Sequence, residues 1–300
     1  MKKGSNLLSA LLGLLVLSSW AATAGPAPDV AALEAASAAG DHESGYQLGR
    51  LYFLGKELPR DDAKALQFLK PAAEGGHARA QGLFGFMLAQ GRGLPKDERS
   101  GCDWLRKSAE QGIDTSQLNL GVMILKGLGT TVDVQSGLDW IEKAAKQGNL
   151  DAQKRLADHY FFGAGGVPED KAKAAAWVRM AAEQEDPWAQ HLLGNMYEWG
   201  QGIPSINYPE ARGWYGKAAA QGNPRAMSAL GLLLMNGQGG EEDRIGAYYW
   251  LNVAARRGES SARNALPALV AGLTDAQLAE GKRRLKEAGQ APARMPSFLP

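Results

Sequence analysis

The sequence has 300 residues, with 33 basic and 32 acidic side chains, four histidines and one cysteine. The near-neutral charge argues against nucleic-acid binding, which needs a strongly basic face, and one cysteine cannot form an internal disulfide. No continuous apolar run reaches the roughly 20 residues of a bilayer-spanning helix, so we expect no membrane insertion.

The first 24 residues have the pattern of an export signal. Lys2 and Lys3 precede an apolar run at residues 7–17, and residues 22–24, Ala-Thr-Ala, offer the small side chains that a signal peptidase accepts. We expect cleavage after residue 24 and, because Cys102 is far from that point, no lipid anchor. Removing the two lysines leaves 31 basic and 32 acidic residues. The expected location is the bacterial periplasm, with secretion as the alternative.

The rest of the chain is a tandem repeat built on a Leu-Gly-like pair. The second residue of this pair recurs at spacings of 36, 36, 36, 37 and 37 residues, at Gly49, Gly85, Gly121, Ala157, Gly194 and Gly231. A glycine six residues later predicts the end of one helix. An Asp or Asn soon after it predicts the N-cap of a second helix, at Asp61, Asp97, Asp133, Asp170, Asn207 and Asp243.

Each second helix carries an aromatic residue seven positions after its N-cap. These residues are Phe68, Trp104, Trp140, Trp177, Trp214 and Trp250. We expect the ring to fill the space between the two helices and the next unit. Because one helix pair cannot bury such a ring alone, the units are expected to stack into a solenoid with a continuous core.

The combined pattern resembles the Sel1-like repeat family, a relative of the tetratricopeptide repeat. The pattern is Ala-x-x-x-Leu-Gly-x-x-Tyr-x-x-Gly-x-Gly, followed by Asp-x-x-x-Ala-x-x-Trp-x-x-x-Ala-Ala-x-x-Gly. It covers residues 41–258, with local departures such as Ala157 for the first glycine and Glu185 for a closing glycine. The resemblance implies an all-α fold, a right-handed α/α superhelical solenoid of about six helix-turn-helix repeats with capping helices at both ends.

These patterns predict a division of the chain into four kinds of segment. A signal peptide (1–24) and an N-terminal capping helix (25–40) precede the repeats, and C-terminal capping helices with a loose tail (259–300) follow them. The six repeats are predicted at 41–76, 77–112, 113–148, 149–185, 186–222 and 223–258. A helix starting near Glu259 is expected to end at Pro267, and Thr274 with Gln277 forms a capping box for the final helix.

Nothing in the sequence predicts a catalytic, cofactor or metal site. A nucleophile elbow, a zinc-binding helix and a phosphate loop are all missing. The recurring Gly-x-Gly lies in turns rather than after strands, and the capping carboxylates are a whole repeat apart, so they cannot converge on one substrate. The four histidines share no ligand spacing, which favours solvent-facing or helix-end roles for His42, His77, His159 and His191.

Partner-binding residues are expected where side chains are not needed for packing. The resemblance places positions two, five, nine and twelve of each first helix in a concave groove, counting the Leu-Gly glycine as position eight. Aromatic and polar residues at these groove positions resemble the hot spots of protein interfaces. The predicted groove residues are Tyr46, Arg50, Phe53, Phe86, Lys154, Asp158, Phe161, Trp188, His191 and Asn195. The alternative is that the groove aromatics pack against each other across neighbouring units. Trp199, beside a turn that contains Tyr208, is a second off-pattern site.

The resulting functional hypothesis is a monomeric, non-enzymatic protein that binds another protein in its groove. Relatives with this repeat include adaptors, periplasmic regulators and immunity proteins that sequester a secreted toxin or lipase effector. Two alternatives from other classes remain. One is a hydrolase of cell-wall-type small molecules, although the relatives that suggest it carry a cysteine pair in each repeat. The other is a structural role in the cell envelope.

Overall fold

The computed structural model describes residues 29 to 290, which form fifteen α-helices and no strand. The helices are α1 (Val30–Ala38), α2 (His42–Leu54), α3 (Asp62–Glu74), α4 (Ala78–Gln90), α5 (Glu98–Glu110), α6 (Asp114–Lys126), α7 (Val134–Lys146), α8 (Leu150–Phe162), α9 (Lys171–Glu183), α10 (Pro187–Trp199), α11 (Tyr208–Ala220), α12 (Pro224–Met235), α13 (Arg244–Arg256), α14 (Ser260–Ala271) and α15 (Asp275–Gln290). The all-α repeat fold is as predicted. The expected signal peptide and the tail from residue 291 lie outside the described residues.

The chain divides into two compact units. Unit 1 comprises the described residues up to His159 together with Gly163–Pro168, and unit 2 comprises Tyr160–Phe162 and the residues from Glu169 onward. Helices α1 to α7 and most of α8 therefore belong to unit 1. The last residues of α8 and helices α9 to α15 belong to unit 2.

The predicted helix ends are confirmed in both units. All six N-cap side chains accept a hydrogen bond from the backbone N–H three residues ahead, at 2.8 to 3.1 Å. The glycines that close the first helices of the first five repeats have φ between 64° and 69°, in the left-handed region. These short-range signals satisfy the backbone groups that a helix leaves unpaired at its ends.

The Leu-Gly glycine is required by close packing of the two helices within a repeat. A Cβ atom on Gly49 would lie 2.4 Å from Leu69 Cγ, and one on Gly121 would lie 2.6 Å from Ile141 Cγ1. Such contacts are far inside van der Waals distance, so a side chain here would force the helices apart. The residues opposite the glycines form the core of each hairpin.

The predicted core position is wrong by one residue in most repeats. Of the six second-helix aromatics only Trp250 is fully buried, and the other five are half-buried. The residue immediately after each aromatic is at most 1% exposed, and this set is Leu69, Leu105, Ile141, Val178, Tyr215 and Leu251. One residue turns a helix by about 100°, so the Trp ring lies at the edge of the interface instead. In three repeats a lysine three residues later covers the ring, at 4.0 Å for Lys107 over Trp104 and 3.8 Å for Lys143 over Trp140 and Lys217 over Trp214.

Buried glutamines link successive repeats. Gln117 Nε2 donates to the Ala109 carbonyl oxygen at 3.1 Å, and Gln147 Nε2 donates to Gln117 Oε1 at 2.7 Å. The same arrangement recurs in unit 2, where Gln190 donates to the Ala182 carbonyl and accepts from Gln221. The first helices that carry this glutamine thereby satisfy a carbonyl at the end of the preceding second helix.

The C-terminal helices follow the prediction in part. Gln277 N–H donates to Thr274 Oγ1 at 3.2 Å and Thr274 N–H donates to Gln277 Oε1 at 3.0 Å, which confirms the capping box. The prediction that Pro267 ends its helix is wrong, because α14 continues to Ala271. Proline removes only one backbone donor, and the turn beyond it buries Leu269 in the core of unit 2.

Candidate partner-binding site

Three predicted groove aromatics in unit 1 are buried. Tyr46 is 8% exposed, Phe53 2% and Phe86 3%. The expectation that they form an exposed recognition stripe is therefore wrong. Their rings pack between neighbouring repeats, which confirms the alternative for these residues.

Tyr46 packs on a histidine that caps the next repeat. The two rings are stacked, with 5.1 Å between the centroids of Tyr46 and His77. Nδ1 of His77 accepts a hydrogen bond from the Ala80 N–H at 3.1 Å, so the ring proton lies on Nε2, which donates to Glu43 at 2.9 Å. The predicted helix-end role is confirmed for His77.

Phe53 and Phe86 form an edge-to-face pair. Their centroids are 6.0 Å apart and their planes are nearly perpendicular, at 89°. The guanidinium group of Arg92 covers the Phe53 ring at 3.8 Å and also pairs with Asp62 at 2.7 Å. The Phe53 ring is thus packed against residues of unit 1.

The predicted polar groove residues of unit 1 are only partly accessible. Arg50, Lys154 and Asp158 are each half-buried. Burial raises the pKa of Asp158 to about 6, although Lys154 and Arg155 favour its charged form. The Asp158 carboxylate therefore lies in a site that disfavours its charge.

The predicted groove residues of unit 2 differ from those of unit 1. Phe161, Trp188, His191 and Asn195 are all half-buried rather than buried. Phe161 packs edge to face on Phe162, with centroids 5.0 Å apart, and its ring lies 5.5 Å from the Lys171 ammonium. The other three lie on α10, where the sequence predicted them to face one groove.

A buried tyrosine organises this part of α10. Tyr215 on α11 occupies the apolar core position, is 0% exposed, and packs under Gly194, whose Cβ would lie 2.6 Å from the ring. The Tyr215 hydroxyl oxygen lies 2.5 Å from Asn195 Oδ1 and 2.6 Å from Glu198 Oε2. We call Tyr215, Asn195, Glu198 and His191 the Tyr215 cluster.

The hydrogen-bond pattern of the Tyr215 cluster follows from its chemistry. A phenol has one proton, which it donates to the carboxylate of Glu198 as the stronger acceptor. Asn195 satisfies the same hydroxyl when its amide is turned so that Nδ2 donates. Burial raises the pKa of Tyr215 far above its usual range, and the bond to Glu198 acts in the same direction. The Tyr215 hydroxyl therefore links two residues of α10, Asn195 and Glu198, by hydrogen bonds.

His191 completes the Tyr215 cluster as a neutral ring. Its centroid lies 5.8 Å from that of Tyr215. Burial lowers the pKa of His191 to about 4, the positive charge of Arg225 acts in the same direction, and Glu259 acts against it. At neutral pH this face of α10 thus offers an uncharged imidazole beside the exposed Arg225.

Sequence reasoning identified His191 and Asn195 but did not assign roles to Tyr215 and Glu198. A signal for Tyr215 was available, because it is the one hydroxyl-bearing side chain in a core series of Leu, Ile and Val. Its acceptor Glu198 could then be found one helix back, at groove position twelve of the same repeat.

The second off-pattern site is an exposed apolar edge of unit 2. Trp199 is 65% exposed, Phe162 55% and Ile206 53%. Phe162 and Trp199 hold the same position in successive repeats, directly before the closing glycine. Tyr208, the other residue predicted here, is half-buried.

The part of the chain that the structure describes contains no group of three or more His, Cys, Asp or Glu side chains arranged for a metal ion. None of its helices is long and apolar enough to cross a membrane. Cys102 is 1% exposed and burial raises the pKa of its thiol, which fits the structural role expected from the sequence.

Two solved structures resemble this chain closely enough to be informative. One is c5321, a protective antigen of uropathogenic Escherichia coli with an SLR fold, at 30% identity and a TM-score of 0.72 over 87% of this chain. This chain spans only 57% of that protein. The other is a Sel1 repeat protein from Oxalobacter formigenes, at 33% identity and a TM-score of 0.64, covering 79% of this chain and 68% of that one.

Weaker matches include an immunity protein, Pa5087 of Pseudomonas aeruginosa, at 20% identity and a TM-score of 0.39, covering 78% of this chain and 84% of that one. Comparison with curated proteins finds no significant match. The Sel1 repeat model matches residues 43–77, 78–113, 115–149, 150–186, 189–223 and 224–259. This repeat is typically a non-catalytic scaffold for protein interactions. With six matches that together cover more than half of its length, the chain belongs to the Sel1 repeat family.

Proposed function

We propose that this protein is an exported, non-enzymatic interaction module that binds a partner protein through the groove positions of unit 2. The proposed contact surface consists of Trp188, His191 and Asn195 on α10 and Arg225 on α12. An aromatic ring, a neutral imidazole, an amide and a guanidinium group match the composition of interface hot spots.

The observation that carries this proposal is the fixed geometry of the Tyr215 cluster beneath a partly open surface. A buried hydroxyl positions Asn195 and Glu198 without closing the face. Binding to ordered side chains loses less conformational entropy than binding to mobile ones. In unit 1 the matching aromatic positions are closed by packing, so we assign the larger share of recognition to unit 2.

The proposed location is the periplasm, and its support is the export pattern of residues 1–24. The test is cell fractionation with mass analysis of the intact protein. We expect a mature chain that begins at Gly25 in the periplasmic fraction. A full-length chain in the cytoplasm would overturn the proposed location.

Adaptor, regulator and immunity roles all fit the proposed binding mode. Affinity capture from envelope extract with the wild-type protein, followed by mass spectrometry, would identify the partner. The same capture is made with Trp188→Ala and with Trp199→Ala, a matched change of an exposed tryptophan on the same helix.

We expect one protein to be retained by the wild type and by Trp199→Ala but lost with Trp188→Ala. Loss of the partner with Trp199→Ala alone would show that the binding surface is the exposed apolar edge at Trp199. Equal capture by all three would contradict the proposal.

A further inference from the structure

Unit 2 contains a pocket that is lined by none of the proposed contact residues on α10 and α12. This pocket of about 860 Å³ lies along α11 and is lined by Gly213, Trp214, Gly216, Leu230, Leu234 and Trp250. We call it the α11 pocket. Its volume is within the range of small-molecule sites, roughly 300 to 1,000 Å³, and its predominantly apolar walls are typical of them.

Two glycines in the interior of α11, Gly213 and Gly216, line the α11 pocket. A Cβ atom on Gly213 or Gly216 would meet no atom within 4 Å, whereas one on Gly194 would collide with Tyr215. The packing that explains the Leu-Gly glycines therefore does not explain these two. Since glycine is the most destabilising residue in a helix interior after proline, their presence needs another reason.

The other repeats show what normally occupies these positions. Counting from the N-cap, positions six and nine hold Gln67 and Lys70, Asp103 and Arg106, Asp139 and Glu142, Ala176 and Arg179, and Tyr249 and Asn252. Only in α11 are both residues glycine, so the bare helix backbone forms one wall of the pocket.

Trp250 lines the same pocket and carries an indole N–H donor. It is 3% exposed, and its indole N–H forms no hydrogen bond with any residue that the structure describes. The equivalent indole of Trp214 donates to Glu210 at 3.1 Å. A buried donor without a partner is costly, and a ligand with an acceptor oxygen would satisfy it.

The charges around the pocket favour an uncharged ligand. The lining contains two acidic residues, Glu183 and Glu185, and two basic residues, Arg212 and Lys217. Asp243 is already used as the N-cap of α13.

We propose that the α11 pocket binds a neutral, flat and largely apolar small molecule that carries a hydrogen-bond-accepting oxygen. The ligand lies against the backbone at Gly213 and Gly216, packs on the two tryptophans, and accepts from the Trp250 N–H. This site is independent of the partner-binding face on α10.

The test uses the naphthalene ketone prodan, a neutral aromatic probe with one carbonyl acceptor, titrated into the purified protein and followed by fluorescence. We expect saturable one-to-one binding with blue-shifted emission. Gly213→Leu should weaken binding at least tenfold without lowering the melting temperature. The matched control Ala176→Leu, at the same position of the preceding repeat, should bind like the wild type.

A second pair of measurements tests the hydrogen bond. Trp250→Phe should weaken prodan binding about fivefold but leave binding of 2-dimethylaminonaphthalene, which lacks the carbonyl group, unchanged. Absence of saturable binding by the wild type, or wild-type affinity in Gly213→Leu, would overturn the proposal. Gly213→Leu adds a side chain to open space and is expected to fold normally. It therefore still tests the proposal if Trp250→Phe fails to fold.

Discussion

Equivalent repeat positions are used in opposite ways in the two units. In unit 1 the aromatic rings at groove positions are buried between neighbouring repeats, as Phe53 is against Phe86, and they are closed to a partner. In unit 2 they hold Trp188, His191 and Asn195, which stay half-buried above a buried tyrosine. The same scaffold thus uses these positions for stability in one unit and leaves them available for recognition in the other.

The largest expected loss of stability comes from removing a packed ring in unit 1. Phe53→Ala should lower the free energy of unfolding by about 3–5 kcal/mol, because it empties a buried aromatic site and uncovers Arg92. Phe162→Ala, which removes an exposed ring, should change it by less than about 0.5 kcal/mol. Urea unfolding measures both, and hydrogen exchange should place the damage around α2 and α4. Equal costs for the two variants would mean that Phe53 is not a core residue.

The next largest loss of stability tests which residue of the second helix occupies the core. Ile141→Ala should cost about 2–5 kcal/mol, as expected for a fully buried aliphatic residue packed under Gly121. The neighbouring Trp140→Ala should cost about 1–2 kcal/mol, since its ring is half-buried and covered by a lysine. The ratio of the two costs, from urea unfolding of both variants, checks the helix phase. A larger loss of stability for Trp140→Ala than for Ile141→Ala would show that the aromatic residue occupies the core.

A smaller effect probes the Tyr215 cluster. Tyr215→Phe keeps the ring but leaves Asn195 and Glu198 without their shared partner, so we expect a loss of about 1–3 kcal/mol. Tyr197→Phe, on a partly exposed hydroxyl that accepts from Arg179, is the matched control and should cost less. Thermal unfolding of both variants is the measurement. No difference between them would show that the buried hydroxyl does not hold the face in place.

The smallest effect concerns pH. The pKa of His191 is about 4 in the folded protein, below its ordinary 6.5, so the unfolded chain binds the extra proton in this window. The contribution of His191 to stability is therefore present above pH 6.5 and is lost as the pH falls toward 4. His191→Gln should flatten the fall in stability across this range. A pH profile identical to that of the wild type would contradict the buried, neutral imidazole.

The sequence was a good guide wherever structure depends on near neighbours in the chain. The helix ends at Gly55 and Asp61, and their counterparts in later repeats, were predicted because a left-handed glycine and an N-cap act within a few residues. The prediction at Pro267 is wrong because tertiary packing decides where this helix ends. Packing of Leu269 outweighs the loss of one backbone donor.

The site was harder to predict because exposure is set by the neighbouring repeat. The position of Phe53 in α2 predicts that it faces the groove, but the ring that packs on it comes from α4, one repeat away. The predicted core position at Trp140 is wrong because a large ring need not be buried, whereas Ile141 faces the glycine of the first helix. His191 and Asn195 were found, but the hydroxyl beneath them belongs to another helix.

The affinity of the captured partner for three proteins tests the central claim most directly. Isothermal titration should show at least about thirtyfold weaker binding for Trp188→Ala than for the wild type, equivalent to a hot-spot loss of about 2 kcal/mol. Folded Phe53→Ala should bind normally, because its ring is closed within unit 1. Unchanged affinity of Trp188→Ala, or loss of binding by folded Phe53→Ala, would contradict the assignment of recognition to unit 2.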